Sequence, residues 1–155
     1  MRLRLIVCRM KLLEVAKITE RAGFLPYVIE DDEPVFYFMK PSKAKFGGAQ
    51  FQIAKGGLES GETSLDAALR EAKEELGLRR SNVKDDTVQL VWRGKMRGAE
   101  EVYTMSVYMG EIKKKDNFKE PTHETAETAW LTAKDFVKKG RQPQQHIVRK
   151  AAALV

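Results

Sequence analysis

The chain has 155 residues, and its 28 lysines and arginines outnumber its 22 aspartates and glutamates, giving a formal net charge of +6 and a pI near 9.4. This length fits one domain over residues 1–155, and no segment approaches the ~18 uninterrupted apolar residues of a membrane span. The single cysteine, Cys8, excludes an internal disulfide. We therefore expect one cytoplasmic domain without membrane association, whose basic composition permits RNA binding without establishing it.

The first part of the chain predicts short strands separated by polar turns. Strands are predicted at 12–18, 24–29, 35–39 and 50–53, from their β-branched and aromatic residues. Residues 11–20 are also compatible with a helix, and the role of residues 1–20 stays open between an extra strand and a lead-in segment. The acidic run 31–33 followed by Pro34 predicts a turn between the strands on either side.

Residues 64–76 predict an α-helix with a defined beginning and end. Thr63 followed by Asp66 resembles a capping box, and Gly77 is a favourable helix stop. Apolar residues recur at the spacing of one buried stripe, namely Leu65, Ala68, Leu69, Ala72 and Leu76. The sequence therefore predicts an amphipathic helix whose apolar side packs on a sheet.

The remainder of the chain predicts an α+β order. Strands are predicted at 88–93, 102–112 and 126–131, with a charged loop over 113–122. Two helices near 132–139 and 143–153 follow the last of these strands.

Three glutamates of the predicted helix lie on one neighbouring face, because Glu71, Glu74 and Glu75 are three and four residues apart. Like charges so close destabilise a helix unless a cation neutralises them. Carboxylate oxygens are the ligands that Mg²⁺ or Mn²⁺ prefers. A solvated face of an amphipathic helix is the alternative interpretation. Arg70 and Glu62 occur in register with the carboxylates, and together with the glycine-rich loop at Gly56 and Gly57 they favour a metal site.

The segment 56–78 reads GGLESGETSLDAALREAKEELGL and follows the pattern G-x5-E-x7-R-E-x-x-E-E-x-G, with fixed positions at Gly56, Glu62, Arg70, Glu71, Glu74, Glu75 and Gly77. This pattern resembles the signature of the Nudix hydrolases, which cut diphosphate linkages with a divalent cation. The resemblance implies an α/β/α sandwich with a mixed sheet, the signature loop–helix–loop at 56–78, and attack of water on phosphorus.

The resemblance also implies roles for individual residues. Metal binding is implied for the three helical carboxylates, Glu71, Glu74 and Glu75. The main-chain carbonyl of Lys55 or Gly56 matches an additional ligand. Arg70 and Glu62 match a pair that orients the carboxylates. The implied cofactor is Mg²⁺, with Mn²⁺ as an alternative.

A second carboxylate region is THETAETAWL at 122–131. It is similar to a region in which diadenosine tetraphosphate hydrolases and RNA 5′-pyrophosphohydrolases supply a further carboxylate. We expect Glu124 to be that ligand or the general base, with Glu127 as second choice and an ordinary loop carboxylate as the alternative. The general base stays open among three residues: Glu71, Glu75 and Glu124. Trp130 is interpreted as a core residue.

Basic and aromatic residues beside the signature are candidates for substrate binding. No acidic residue occurs between Pro34 and Leu58, whereas this stretch contains Lys40, Lys43, Lys45 and Lys55. Ammonium groups beside a carboxylate site suit a polyphosphate, so we predict phosphate contacts at Lys40, Lys43 and Lys55, with solvated surface charges as the alternative. A second basic edge is predicted at Arg93, Lys95 and Arg97. Base-stacking candidates are Phe46, Phe51 and Tyr103.

The substrate class is indicated by FQIAKGGLESGE at 51–62, which resembles the glycine loop of dinucleoside polyphosphate hydrolases and RNA pyrophosphohydrolases. We therefore expect a nucleotide polyphosphate substrate, with diadenosine tetraphosphate first and RNA 5′ ends second. A non-catalytic nucleotide- or RNA-sensing module is a further alternative, although every glutamate of the signature is present.

Overall fold

The computed structural model of the chain describes residues 19–42, 50–98, 101–118 and 125–155. The predicted strand at 12–18 and Cys8 lie outside these residues. Within these described ranges, six strands form one sheet, namely β1 (Thr19–Glu30), β2 (Glu33–Pro41), β3 (Ala54–Gly57), β4 (Gln89–Arg97), β5 (Val102–Glu111) and β6 (Thr125–Thr132). The α-helices are α1 (Ser64–Leu76), α2 (Ala133–Lys139) and α3 (Gln145–Ala153). The predicted α+β class is thus confirmed.

The sheet is mixed, with the strand order β4-β5-β1-β2-β6 and with β3 paired to β1. Strand β1 runs parallel to β5 along one edge. Its other edge is shared, because the first half pairs antiparallel with β3 and the second half pairs antiparallel with β2. Strand β3 therefore lies beside the middle of the sheet, next to the point where β2 takes over the pairing.

Helices cover both faces of the sheet and give it two separate cores. On the α1 face, helix residues pack against buried side chains of β1 and β2: Ala68, Ala72 and Leu76 against Ala22, Phe24 and Tyr37. On the α3 face, α2 and α3 supply Phe136, Ile147 and Val148, which pack against Leu25, Phe38 and Met105. The predicted sandwich is therefore observed, because alternate residues of each strand point into opposite cores.

The turn predicted at 31–33 is a tight hairpin. Asp31 and Asp32 have positive φ angles of 51° and 62°, and Glu30 pairs with Glu33 across the turn. Aspartate tolerates this left-handed region better than most residues with a β-carbon, which explains why the acidic pair signals the turn.

Two sequence-based details are wrong. The strand expected at 50–53 is absent, because Phe51 bridges Gly140 and Gln52 bridges Met39, so neighbouring residues pair with different segments. The buried stripe of α1 is also shifted, since Ala67 is fully buried whereas Leu65 and Leu69 are only half-buried. Small alanines allow the helix to approach the sheet, and the two leucines instead line a cavity of about 190 Å³. No helix in the described part of the chain is long and apolar enough to cross a membrane.

Candidate active site around the glycine loop and helix α1

Helix α1 has the boundaries that its sequence predicts. The hydroxyl of Thr63 accepts a hydrogen bond from the main-chain N–H of Asp66 at 3.1 Å. At the other end Gly77 adopts a φ of 71°, and its N–H donates to the carbonyl of Lys73 at 3.0 Å. These caps satisfy main-chain groups that the helix ends leave without partners. The caps fix where the helix begins and ends, and its acidic face is directed toward the preceding loop.

Arg70 is the centre of the charged network between helix and loop. Its Nε and Nη2 atoms donate to the two carboxylate oxygens of Glu62 at 2.9 and 3.0 Å, a bidentate pair. Nη2 also donates to the carbonyl of Gly57 at 2.8 Å, and Nη1 donates to Glu71 at 2.8 Å. These bonds raise the pKa of Arg70 and lower the pKa of Glu62, so both groups stay charged. Arg70 thereby fixes the glycine loop against the helix.

Glu71 is packed directly against Gly56. A β-carbon at Gly56 would collide with the carboxylate of Glu71, so no other residue fits there without displacing that carboxylate. Burial raises the pKa of Glu71, and the hydrogen bond from Arg70 opposes that rise. The glycine thus leaves space for a carboxylate that is only 12% exposed.

Glu75 joins three parts of the fold. Its Oε2 atom accepts the main-chain N–H of Lys55 at 2.8 Å. Its carbonyl accepts the hydroxyl of Thr125 at 3.1 Å, so the first residue of β6 contacts α1. Because the N–H of Lys55 bonds to Glu75, the carboxylate of Glu75 lies along the edge of β3 that faces away from β1. Glu124, which precedes Thr125 in sequence, lies outside the described residues.

Glu127, the second choice for the additional carboxylate, is paired with a lysine of β2. Glu127 forms an ion pair with Lys40, with 3.6 Å between Oε1 and Nζ. This pair also engages one of the lysines predicted to bind phosphate. Lys43, another of those lysines, lies outside the described residues, as does Phe46.

The donor set on the acidic side suits a divalent cation. Glu71 and Glu74 face the same Arg70 Nη1 atom, at 2.8 and 3.4 Å, while Glu75 faces the N–H of Lys55. Within the described ranges, no group of three or more His, Cys, Asp or Glu side chains is arranged to hold a metal ion. The chemistry nevertheless fits, because the carboxylate of Glu71 lies against the glycine loop and shares Arg70 with a main-chain carbonyl of that loop, so oxygen donors of both kinds are present. The carboxylates would turn from these hydrogen bonds to reach an ion.

Lys55 lies on the α3 face of β3 and has a strongly perturbed amine. Burial lowers its pKa to about 8, and repulsion from Arg21 and Arg141 adds to this effect, whereas Glu75 and Glu71 oppose it. The two arginines are site residues that sequence reasoning missed. Alternation along β1 could have placed Arg21 on this face, but no local signal brings Arg141 to it.

The predicted base-stacking role of Phe51 and Tyr103 is wrong for the observed structure. Both rings lie in the core of the α3 face and are only 6% and 4% exposed. Each ring also has a cation over it: Lys40 Nζ is 4.6 Å from the centroid of Phe51, and the guanidinium of Arg21 is 5.1 Å from that of Tyr103. Aromatic residues in this stretch are needed for the core, so neither ring offers a free face to a base.

Trp130 occupies a structural position. Its ring stacks on Tyr37 with 4.6 Å between centroids, and its Nε1 donates to the carbonyl of Asp116 at 2.9 Å. It packs against the core of the α1 face. The interpretation of Trp130 as a core residue is therefore consistent with its contacts.

Comparison with protein-family models gives a match to the NUDIX domain over residues 19–151. No curated protein sequence matches the chain.

Solved structures share the fold at low sequence identity. An Ap4A hydrolase from C. elegans, solved as a binary complex, has a TM-score of 0.73 at 18% identity and covers 88% of this chain and 97% of its own. The NUDIX domain of Shewanella oneidensis NrtR, solved with ADP ribose, has a TM-score of 0.71 at 9% identity, with coverage of 92% and 91%. RenU, a Nudix hydrolase from M. smegmatis, has a TM-score of 0.69 at 18% identity, with coverage of 88% and 87%. Identities this low establish similarity of fold alone.

Proposed function

Because the chain belongs to the NUDIX domain family and is a pyrophosphohydrolase of that family, we propose that it hydrolyses a dinucleoside polyphosphate such as diadenosine tetraphosphate. One observation carries the proposal. Strand β3 has carboxylates of α1 along its outer edge and on one face, and the amine of Lys55 on the other face. A polyphosphate needs both features, a carboxylate-held metal for the reacting phosphate and cations for the rest of the chain.

The carboxylates would bind the metal ion, and an arginine–glutamate pair orients them. Mg²⁺, or alternatively Mn²⁺, would be held by carboxylates and one carbonyl, drawn from Glu71, Glu74, Glu75 and Glu124 with Lys55 or Gly56. The bound ion would neutralise charge on phosphate oxygens and stabilise the leaving group. Arg70 and Glu62 keep the loop and the helix in register, which orients the carboxylates.

The reaction needs a carboxylate that accepts a proton from water. Glu71 is one candidate for this base, because its carboxylate lies directly against the glycine loop at Gly56. Glu75 and Glu124 are the other candidates for the base. Water would attack one phosphorus, the anhydride oxygen would leave with its electron pair, and the carboxylate would take the proton. Asymmetric cleavage of diadenosine tetraphosphate would then yield ATP and AMP.

The substrate assignment has two lines of support. The fold is similar to that of an Ap4A hydrolase from C. elegans. Lys55 supplies positive charge beside the acidic edge, and we assign the same task to Lys40 and Lys43. Lys40 would have to exchange its ion pair with Glu127 for a phosphate, which is feasible because the pair is long, at 3.6 Å, and the Glu127 side chain is 53% exposed.

Removal of pyrophosphate from RNA 5′ ends is the second candidate, favoured by one surface. Arg93, Lys95 and Arg97 alternate along β4, are exposed, and share the α1 face of the sheet. In the part of the chain that the structure describes, none of the three forms an ion pair, although Arg93 donates to Ser106 at 2.8 Å. Such a row of cations suits a nucleic-acid backbone.

The test is product analysis with Mg²⁺ on diadenosine tetraphosphate and on 5′-triphosphorylated RNA in parallel. ATP and AMP from the dinucleotide, with little release from RNA, would support the first proposal. Preferred release of pyrophosphate from RNA would replace it with the second. Binding of either ligand without turnover under Mg²⁺ or Mn²⁺ would instead favour a nucleotide- or RNA-sensing module.

A further inference from the structure

Three cations lie near one another on the α3 face of the sheet, in the region where β1 pairs with β3. The register pairs Gly23 with Lys55 and Arg21 with Gly57, so Arg21 and Lys55 are diagonal neighbours on one face. Arg141 reaches the same region from a distant segment, because its main-chain N–H donates to the carbonyl of Phe51 at 2.8 Å. Residues 51, 53 and 55 alternate onto this face. The charge repulsion that both arginines exert on the amine of Lys55 agrees with this placement.

The two arginines of this group form no direct ion pair within the described ranges, although Arg21 lies close enough to Glu71 to oppose the rise that burial causes in the pKa of that carboxyl. Neither Arg21 nor Arg141 forms an ion pair with a carboxylate among the described residues, and both are half-buried. This contrasts with Arg70, which contacts four carboxylates. Like charges brought together in a partly buried site are unfavourable unless an anion joins them. The arrangement therefore calls for a ligand that carries several negative charges.

Gln144 adds a buried hydrogen-bond donor beside the cations. It is 1% exposed, and its Oε1 atom accepts the main-chain N–H of Ile53 at 2.8 Å. This bond fixes the orientation of the amide, because the nitrogen of an amide cannot accept. Its Nε2 atom has no hydrogen-bond partner within the described residues. Its main-chain N–H donates to the main-chain carbonyl of Arg141 at 3.0 Å, so the two residues belong to the same turn of the chain. A buried donor without an acceptor is costly and marks a position that a ligand oxygen or a water can fill.

We propose that Arg21, Lys55 and Arg141, with the Gln144 amide as a further donor, bind the distal part of a linear polyphosphate chain. The reacting end of the same chain would lie at the outer edge of β3, where the carboxylate of Glu75 bonds to the N–H of Lys55. The assignment of this ligand as part of a nucleotide substrate rests on the proposed function, whereas the anion site itself does not. Two guanidinium groups suit phosphate oxygens because each offers several fixed donors. The site would favour long phosphate chains over short ones.

The binding test uses the full chain in EDTA with inorganic tripolyphosphate, followed by titration calorimetry. Arg21→Gln and Arg141→Gln should each weaken binding about tenfold or more, because each removes charge-assisted bonds. Arg149→Gln is the matched control, since Arg149 is an exposed arginine on α3, and its binding should equal that of the unaltered chain. Unchanged affinity in both site variants, or equal loss in the control, would overturn the proposal.

Two further measurements guard against misfolding and misassignment. Gln144→Glu keeps an oxygen for Ile53 but removes the donor and adds a negative charge, so it should also weaken tripolyphosphate binding. Thermal unfolding would identify any variant that fails to fold. A 5′-hydroxyl oligoribonucleotide should bind independently of Arg21 and Arg141. If binding of that oligonucleotide requires both arginines and tripolyphosphate does not compete with it, the polyphosphate site would be contradicted.

The two proposals fail in different ways. Tripolyphosphate binding that depends on Arg141 but is accompanied by no hydrolysis of any nucleotide would refute the proposed function and leave the anion site standing. Efficient hydrolysis by Arg21→Gln and Arg141→Gln variants with unaltered KM would refute the anion site and leave the proposed function standing.

Discussion

The two sides of β3 differ in how their charges are compensated. On the acidic side, Glu62, Glu71 and Glu74 face Arg70, and Glu75 accepts a main-chain N–H. On the cationic side, Arg21 and Arg141 repel Lys55, and neither arginine forms an ion pair with a carboxylate among the residues that the structure describes. One side is thus organised before any ligand arrives, whereas the other is unfavourable until an anion binds. This difference is what a site for a metal and a polyphosphate requires.

Among changes on the acidic side, a change at Glu75 should cause the largest loss of activity. Glu75→Gln should lower kcat with Mg²⁺ by more than about 100-fold, beyond the loss typical of residues that only support metal ligands. The fold should persist, because the amide oxygen can still accept the N–H of Lys55. Steady-state kinetics and thermal unfolding would check both statements. Glu33→Gln, an exposed change at the β1–β2 hairpin, is the control. Retained activity in Glu75→Gln would show that the assigned site is wrong.

The close contact between the glycine loop and helix α1 can be tested by a change at Gly56, with a change at Gly57 for comparison. Gly56→Ala places a methyl group against the carboxylate of Glu71, so activity should fall about 100-fold and stability by about 1–3 kcal/mol. Gly57→Ala is the matched control, because its nearest neighbour would be the carbonyl of Glu20 at 4.0 Å. Denaturant unfolding and kcat/KM would report both effects. Equal behaviour of the two variants would contradict a specific contact between Gly56 and Glu71.

The organisation of the acidic side can be weakened at Arg70 without removing its charge. Arg70→Lys keeps a cation but loses the fork that bonds Glu62 and Gly57 together, so we expect a 10- to 100-fold loss of activity and of apparent metal affinity. Glu62→Gln should show a similar but smaller loss. The double variant should lose less than the sum of the two effects, since both changes remove the same pair. Additive losses would mean that Arg70 and Glu62 act separately.

The strain on the cationic side is measurable through the pH dependence of stability. The pKa of Lys55 is about 8 in the folded chain, below the 10.5 of a free lysine. Below pH 8 both folded and unfolded states are protonated and the full cost is present. Between pH 8 and 10.5 the folded state loses its proton first, so stability rises with pH. Lys55→Met should therefore be more stable than the unaltered chain at pH 7, by about 2 kcal/mol after allowance for partial exposure.

The control for that prediction is the same comparison at pH 10. The difference in free energy of unfolding between Lys55→Met and the unaltered chain should be smaller there than at pH 7. Lys95→Met, at an exposed lysine on β4, should show no such pH-dependent gap. Denaturant unfolding at the two pH values gives both quantities. A gap that is constant with pH would mean that the lysine is not strained by burial and by its neighbours.

The same contrast explains what the sequence could and could not predict. The acidic side is encoded locally: Thr63 caps the helix, Gly77 ends it, and the spacing of the glutamates sets their common face. The cationic side depends on contacts between residues far apart in sequence, as between Arg141 and Phe51. No periodicity within one segment reports such a contact, which is why Arg141 and Gln144 escaped prediction.

The errors have similar causes. Phe51 and Tyr103 were expected to contact substrate, but an aromatic residue beside a site looks the same in sequence whether its ring is buried or free. The prediction of a strand at 50–53 was wrong because these residues have strand propensity but do not share one pairing partner. They bridge two different segments, at Met39 and at Gly140. The stripe of α1 shifted because the closest contacts with the sheet are made by alanines rather than leucines.

The most direct test of the central claim is a single-turnover reaction of diadenosine tetraphosphate with excess enzyme and Mg²⁺, comparing the unaltered chain with Glu75→Gln. We expect ATP and AMP from the unaltered chain, no product with EDTA, and a loss of more than about 100-fold in the variant. Absence of hydrolysis by the folded, unaltered chain with Mg²⁺ or Mn²⁺, or equal rates for the two proteins, would contradict that claim.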